Sequence, residues 1–107
     1  MEKFQHISAA EFGKRFEEEK HNYIFVDVRT QEEFDSAHVE NSIHIPYDVM
    51  EERFEELLPY KDKKILLICR SGMRSQIAGH ILAERGFEKL YNLEGGLMEW
   101  TGRLHSE

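Results

Sequence analysis

The segment Ile65-Leu66-Leu67-Ile68-Cys69 constrains the fold most. An unbroken apolar run of this kind reads as a strand buried on both faces, and such strands belong in parallel sheets. The run ends on the chain's single cysteine. Arg70-Ser71-Gly72-Met73-Arg74 follow as a short loop, and a helical pattern starts at Ser75. Ile77, Ala78, Ile81 and Leu82 are expected on the inner face of that helix, and Gly86 suits its C′ position. Strand, thiol, tight loop and helix N-terminus in succession make a device for holding an anion or a thiolate.

The rest of the chain supplies partners for that strand. Phe4 to Ile7 is a short first strand. Ser8-Ala9-Ala10-Glu11 has the form of a capping box and opens a helix carrying Phe12 and Phe16 on one face. Tyr23 to Val28 is aromatic and β-branched, a second strand buried on both faces, interrupted by Asp27 near its end. Thr30-Gln31-Glu32-Glu33 is another capping box, starting a short helix with Phe34 inward. Ser42 to Ile45 is a short strand closed by Pro46. Met50, Phe54 and Leu57 repeat at helical spacing, with Asp48 as a candidate cap and Pro59 as the stop. A last strand surrounds Leu90-Tyr91-Asn92, Gly95-Gly96 is a turn, and Leu97 to Trp100 begins a closing helix with Trp100 as a core plug.

Strands therefore alternate with helices throughout. This predicts an α/β domain spanning residues 1–107, with a parallel sheet and helices on both faces. Ligand sites in such sheets lie beyond the carboxyl ends of the strands. Cys69 sits at one such end, and Asp27 and Arg29 at another.

Charge narrows the partners. Fourteen Lys and Arg against 21 Asp and Glu give a net charge of −7, which disfavours nucleic acid and anionic membrane. The exception is local: Arg70 and Arg74 flank the cysteine, with no acid between Asp62 and Glu84. One cysteine excludes an internal disulfide, Cys-x-x-Cys redox chemistry and a multi-thiolate zinc site. A free thiol, a start without a signal-peptide core, and no apolar run near the ~20 residues that span a bilayer predict a cytoplasmic protein.

Only the thiolate of a cysteine is a useful nucleophile. Inward-pointing loop amides, the helix N-terminus and the two arginines all favour an anionic sulfur at Cys69. Ser71 and Ser75 can add hydroxyl donors, and Gly72 gives the loop its backbone freedom. Ser75 is either a donor of this kind or simply the helix N-cap. Met73 is either an apolar lip over the sulfur or a packing residue.

The chain resembles a single-domain rhodanese. The motifs that carry the resemblance run in family order over nearly all of it. They are Asp27-Val28-Arg29, Glu33-Phe34, Ala37-His38-Val39, Asn41 to Pro46, Cys69 to Ser75, Arg85-Gly86-Phe87, Leu90 to Gly96, and Trp100. The resemblance implies a three-layer α/β/α fold around a five-stranded parallel sheet, with Cys69 as the catalytic residue. It implies that Cys69 attacks the outer sulfur of an anionic donor such as thiosulfate, becomes a persulfide, and yields the sulfur to cyanide or a thiol, without metal or organic cofactor. Arg70, Ser71, Gly72, Met73, Arg74 and Ser75 would bind the substrate. The alternative is a persulfide carrier serving a protein acceptor, with weak small-molecule turnover.

The six residues from Cys69 to Arg74 are the length that the resemblance associates with sulfur. Related phosphatases carry arginine one position later, where this chain has Ser75. Asp27 and Arg29 are expected to pair with each other or with the loop, holding it in shape. His38 and His44 lack the further ligands of a metal site and read as packing residues. Glu94 is expected to fix the glycine turn, and His80 to be at the surface or partly buried.

Overall fold

The computed structural model describes residues 4–70, 73–102 and 104–105. Its sheet has five strands, all parallel, in the order β1-β5-β4-β2-β3. They are β1 (Phe4–Ser8), β2 (Ile24–Asp27), β3 (Ile43–His44), β4 (Ile65–Ile68) and β5 (Leu90–Glu94). β4 lies at the centre, every residue buried, as its apolar run requires. The helices are α1 (Ala9–Lys14), α2 (Phe16–Glu19), α3 (Gln31–Ser36), α4 (Met50–Arg53) and α5 (Arg74–Glu84).

Alternation along the strands divides the core between the two faces of the sheet. Val26, Ile65, Leu67 and Leu90 pack with Met50, Leu57, Ala78 and Leu82 on the face covered by α4 and α5. Phe25, Leu66, Ile68 and Leu93 pack with Ala9, Phe12 and Phe16 of α1 and α2 on the other. Each of these side chains other than the alanines contributes about 1.5–3 kcal/mol by leaving water. Trp100 closes the second face, 5.4 Å edge-on from Phe16 and 6.1 Å from Phe12.

Local chemistry sets the helix boundaries, with some departures from expectation. Ser8 Oγ accepts the Glu11 amide hydrogen at 3.3 Å. At Thr30 both halves of the capping box form. The first helix is broken at Arg15, yet Phe12 and Phe16 still face the core together. Asp48 caps nothing: it lies within a 3-10 turn over Tyr47–Val49, and Val49 precedes α4. Pro59 does not stop a helix either. It sits inside a 3-10 stretch, Phe54–Tyr60, where its missing amide leaves one i→i−3 bond unmade. Ile77 is half exposed, because α5 turns Ser75, Ala78, Gly79 and Leu82 inward. Gly86, at φ +92°, ends α5 as its position predicts. No helix among the described residues is long and apolar enough to cross a membrane.

Candidate active site

Cys69 lies immediately beyond the carboxyl end of β4 and is fully buried. The chain then turns directly into α5, whose N-cap position is Met73. Ser75 is therefore not the cap. It occupies the second helical position, and its Oγ accepts a hydrogen bond from the Cys69 thiol at 3.6 Å. The first turn of α5, with its partial positive charge, thus faces the sulfur. Ser75 is itself fully buried and donates to Asn92 Oδ1 on β5. Met73 is 70% exposed. Ser71 and Gly72, expected in the same loop, lie outside the described residues.

The backbone leading into the loop is tied from beneath. The Leu97 amide donates to Cys69 O and the Met98 amide to Arg70 O, both at 3.0 Å. Both amides belong to a 3-10 turn over Gly96–Glu99. The turn comes this close because Gly96 has no side chain. A Cβ there would stand 2.5 Å from Cys69 O and nearer still to Arg70 O, on a backbone at φ +60°. The sequence marks the Gly95-Gly96 turn but gives no sign that it touches the loop. Gly96→Ala is expected to cost about 1–3 kcal/mol through left-handed strain and overpacking. Because it displaces the backbone beside the sulfur, turnover is expected to fall about tenfold or more. Urea denaturation and steady-state rates check the two effects separately.

The two arginines have different surroundings. Arg70 is exposed and lines an open cleft of about 480 Å³ together with Arg29, Glu32, Ala37 and Met98. Arg74 is held by Glu33: Nη1 donates to Oε1 at 3.0 Å and Nη2 to Oε2 at 3.1 Å. Its guanidinium also lies 6.0 Å from the Tyr47 ring centre. The bond to Glu33 raises the pKa of Arg74, with a smaller contribution from a charged Cys69. Arg74 therefore joins the start of α5 to α3, its charge already matched by a carboxylate.

Glu33 is held well below the usual carboxylate range, at about 2, chiefly by Arg74 and then by the Thr30 cap, against a desolvation effect. Its folded value lies below its unfolded one. The stability it confers is therefore present above its ordinary value of 4.5 and is lost as pH falls toward 2. At ~1.4 kcal/mol per unit the shift sets an upper bound of about 3.5 kcal/mol, which solvent screening reduces to about 1–2 kcal/mol. Urea titrations should find Glu33→Gln less stable than wild type by that amount near neutral pH. The gap should close as the acid limit of this window is approached.

Asp27 and Arg29 form a buried pair, as their positions suggest. Asp27 is fully buried and Arg29 is 7% exposed. Arg29 Nε donates to Oδ1 at 2.9 Å, Nη2 to Oδ2 at 2.8 Å, and the Arg29 backbone amide to Oδ1 at 3.0 Å. Arg29 Nη2 also donates to Ala37 O at 2.6 Å, tying the end of β2 to the end of α3. Asp27 pairs in register with Ile68, one residue before Cys69. His38 and His44 stack on the two sides of Phe34, at 3.9 and 4.5 Å, and each ring bonds a backbone carbonyl. They pack, as expected. His80 is exposed beside Glu84.

The sequence model described as "Rhodanese-like domain" matches residues 8–103. The chain is 29% identical over 107 residues to a tRNA uridine(34) hydroxylase from Cronobacter sakazakii, covering 96% of this chain and 30% of that protein. It is 38% identical over 78 residues to the putative sulfur carrier protein YrkF of Bacillus subtilis, covering 73% of this chain and 41% of that one. The chain thus spans less than half the length of these curated relatives. The crystal structure of a rhodanese-related protein from Thermoplasma volcanium superposes with a TM-score of 0.81 at 30% identity, covering 96% of this chain and 99% of that one.

Proposed function

The chain belongs to the rhodanese-like domain family, and from that premise we propose that it is a sulfurtransferase working through a persulfide on Cys69. The thiolate attacks the outer sulfur of an anionic donor such as thiosulfate. A new S–S bond forms to Cys69, the donor's own S–S bond breaks, and sulfite leaves with the electron pair. A nucleophilic acceptor, cyanide or a thiol, then takes the outer sulfur and restores the thiolate. Arg70, Ser71, Gly72, Met73, Arg74 and Ser75 make up the cradle. Asp27 and Arg29 support it from the neighbouring strand.

The observation that carries this reading is the position of Cys69. It is buried at the end of the central strand, against the first turn of α5, with its carbonyl anchored by Leu97. That arrangement fixes where the sulfur sits and sets it against the positive end of the helix. A free thiol as the working group suits a reducing compartment, so we assign the cytoplasm. Initial rates with thiosulfate and cyanide both varied test the reaction. Parallel double-reciprocal lines are expected, because the first product leaves before the second substrate reacts. Intersecting lines, or no turnover, would refute it.

The likeness to a putative sulfur carrier favours a second reading, in which the acceptor is a protein thiol and small-molecule turnover is incidental. The two readings separate in single-turnover transfer from the sulfur-loaded protein. Fast delivery to a partner's cysteine with slow delivery to cyanide supports the carrier. The activity named for the tRNA uridine(34) hydroxylases belongs to proteins of which this chain covers about a third, and it is not carried over.

A further inference from the structure

Asn92 is a polar side chain 1% exposed in the middle of β5, and the sulfur chemistry above gives it no role. It links the active-site sulfur to the surface. The Cys69 thiol donates to Ser75 Oγ at 3.6 Å, the Ser75 hydroxyl donates to Asn92 Oδ1, and Asn92 Nδ2 donates to His6 Nδ1 at 3.0 Å. His6 is the in-register partner of Asn92 on the edge strand β1, and it is exposed. Cys69, Ser75 and Asn92 are all buried. Every hydrogen in this chain of contacts points outward, from sulfur toward imidazole.

We propose that His6 and Asn92 are positioning residues that decide which way the Ser75 hydroxyl points, and so how well the site holds an anionic Cys69 sulfur; this rests on the reading of Cys69 as the nucleophile. A side-chain amide has an accepting end and a donating end in fixed relation. While His6 Nδ1 accepts, Asn92 turns its oxygen to Ser75. The hydroxyl hydrogen is then committed to Asn92, and Ser75 offers the sulfur only lone pairs, which suit a thiol. When the side chain at position 6 donates instead, Asn92 rotates by half a turn and its amino group donates to Ser75. The hydroxyl hydrogen is released to the sulfur, which suits a thiolate or a persulfide anion. No proton travels along the chain. Two groups rotate, and the thiol proton leaves to solvent as in any thiol ionisation.

The test reads the Cys69 thiolate by its ultraviolet absorbance in the reduced full chain, at one fixed pH below tyrosine ionisation. Cys69 is the only cysteine, so a Cys69→Ala protein serves as the blank. His6→Lys replaces an acceptor with a pure donor on an exposed edge strand. It is expected to raise the thiolate-to-thiol ratio about tenfold, the size of one hydrogen bond to a charged group. In a Ser75→Ala background the rise should shrink to less than about twofold, the residue of a screened surface charge. Should Ser75→Ala not fold, Asn92→Val breaks the same link and provides the background. An equal rise in both backgrounds would show a bare charge effect and overturn the proposal, as would no rise at all. The measurement needs no sulfur donor. A protein that passes it yet takes no sulfur from thiosulfate contradicts the proposed function and leaves the relay standing.

Discussion

Cys69→Ala is expected to abolish sulfur transfer and leave the fold in place. The activity loss is complete because the reaction needs a covalent carrier, and the chain has no second thiol to stand in. The structural cost is small because the sulfur is one atom in a large apolar cluster that includes Val28, Ile45, Leu67 and Ala78. Losing it creates a minor cavity worth about 1 kcal/mol. Circular dichroism and urea denaturation should therefore show a near-native protein. Thiosulfate–cyanide turnover should fall to the rate without enzyme. Retained turnover in a folded Cys69→Ala protein would remove the cysteine from the mechanism.

The largest stability effect is expected at Asp27. Its carboxylate is fully buried and accepts from both the side chain and the backbone of Arg29. Asp27→Asn leaves the Arg29 guanidinium buried without its counter-charge, a change that typically costs about 3–5 kcal/mol. That is a large fraction of the roughly 5–15 kcal/mol available to a domain of this size. Asp27→Leu combined with Arg29→Met removes both charges and should recover much of the loss, since an apolar pair avoids the desolvation cost. A loss below about 1 kcal/mol in Asp27→Asn would mean the pair is not buried in solution. Because Asp27 is in register with Ile68, the destabilised protein should also show looser packing beside Cys69.

The parallel sheet is legible in the sequence because its central strands are continuous apolar runs, and burial on both faces leaves no other pattern for them. The sequence places Asp27 and Arg29 together at the end of a buried strand but leaves open whether they pair with each other or with the loop; the structure pairs them with each other. Arg74 shows where such reading stops. Its local surroundings are basic, and the carboxylate that holds it, Glu33, is 41 residues away in the chain. The Thr30 capping box that marks Glu33 in the sequence already accounts for it, so nothing signals its second partner.

The inner face of α5 fails for a related reason. Ala78 and Leu82 are inward as expected, but Ser75 and Gly79 are too small to stand out against Ile77 in an apolar pattern, yet small residues are what let the helix sit close to the sheet. Asn92 reads as an ordinary strand residue because the contacts that define it come from two other elements, at Ser75 of α5 and His6 of β1, and reach Cys69 only through Ser75.

Whether Cys69 carries sulfur is read by intact-mass spectrometry of the reduced protein after incubation with thiosulfate. An added mass of one sulfur atom is expected, removed by a reductant and absent from Cys69→Ala. An unchanged mass in the wild type, or the same added mass on Cys69→Ala, would contradict it.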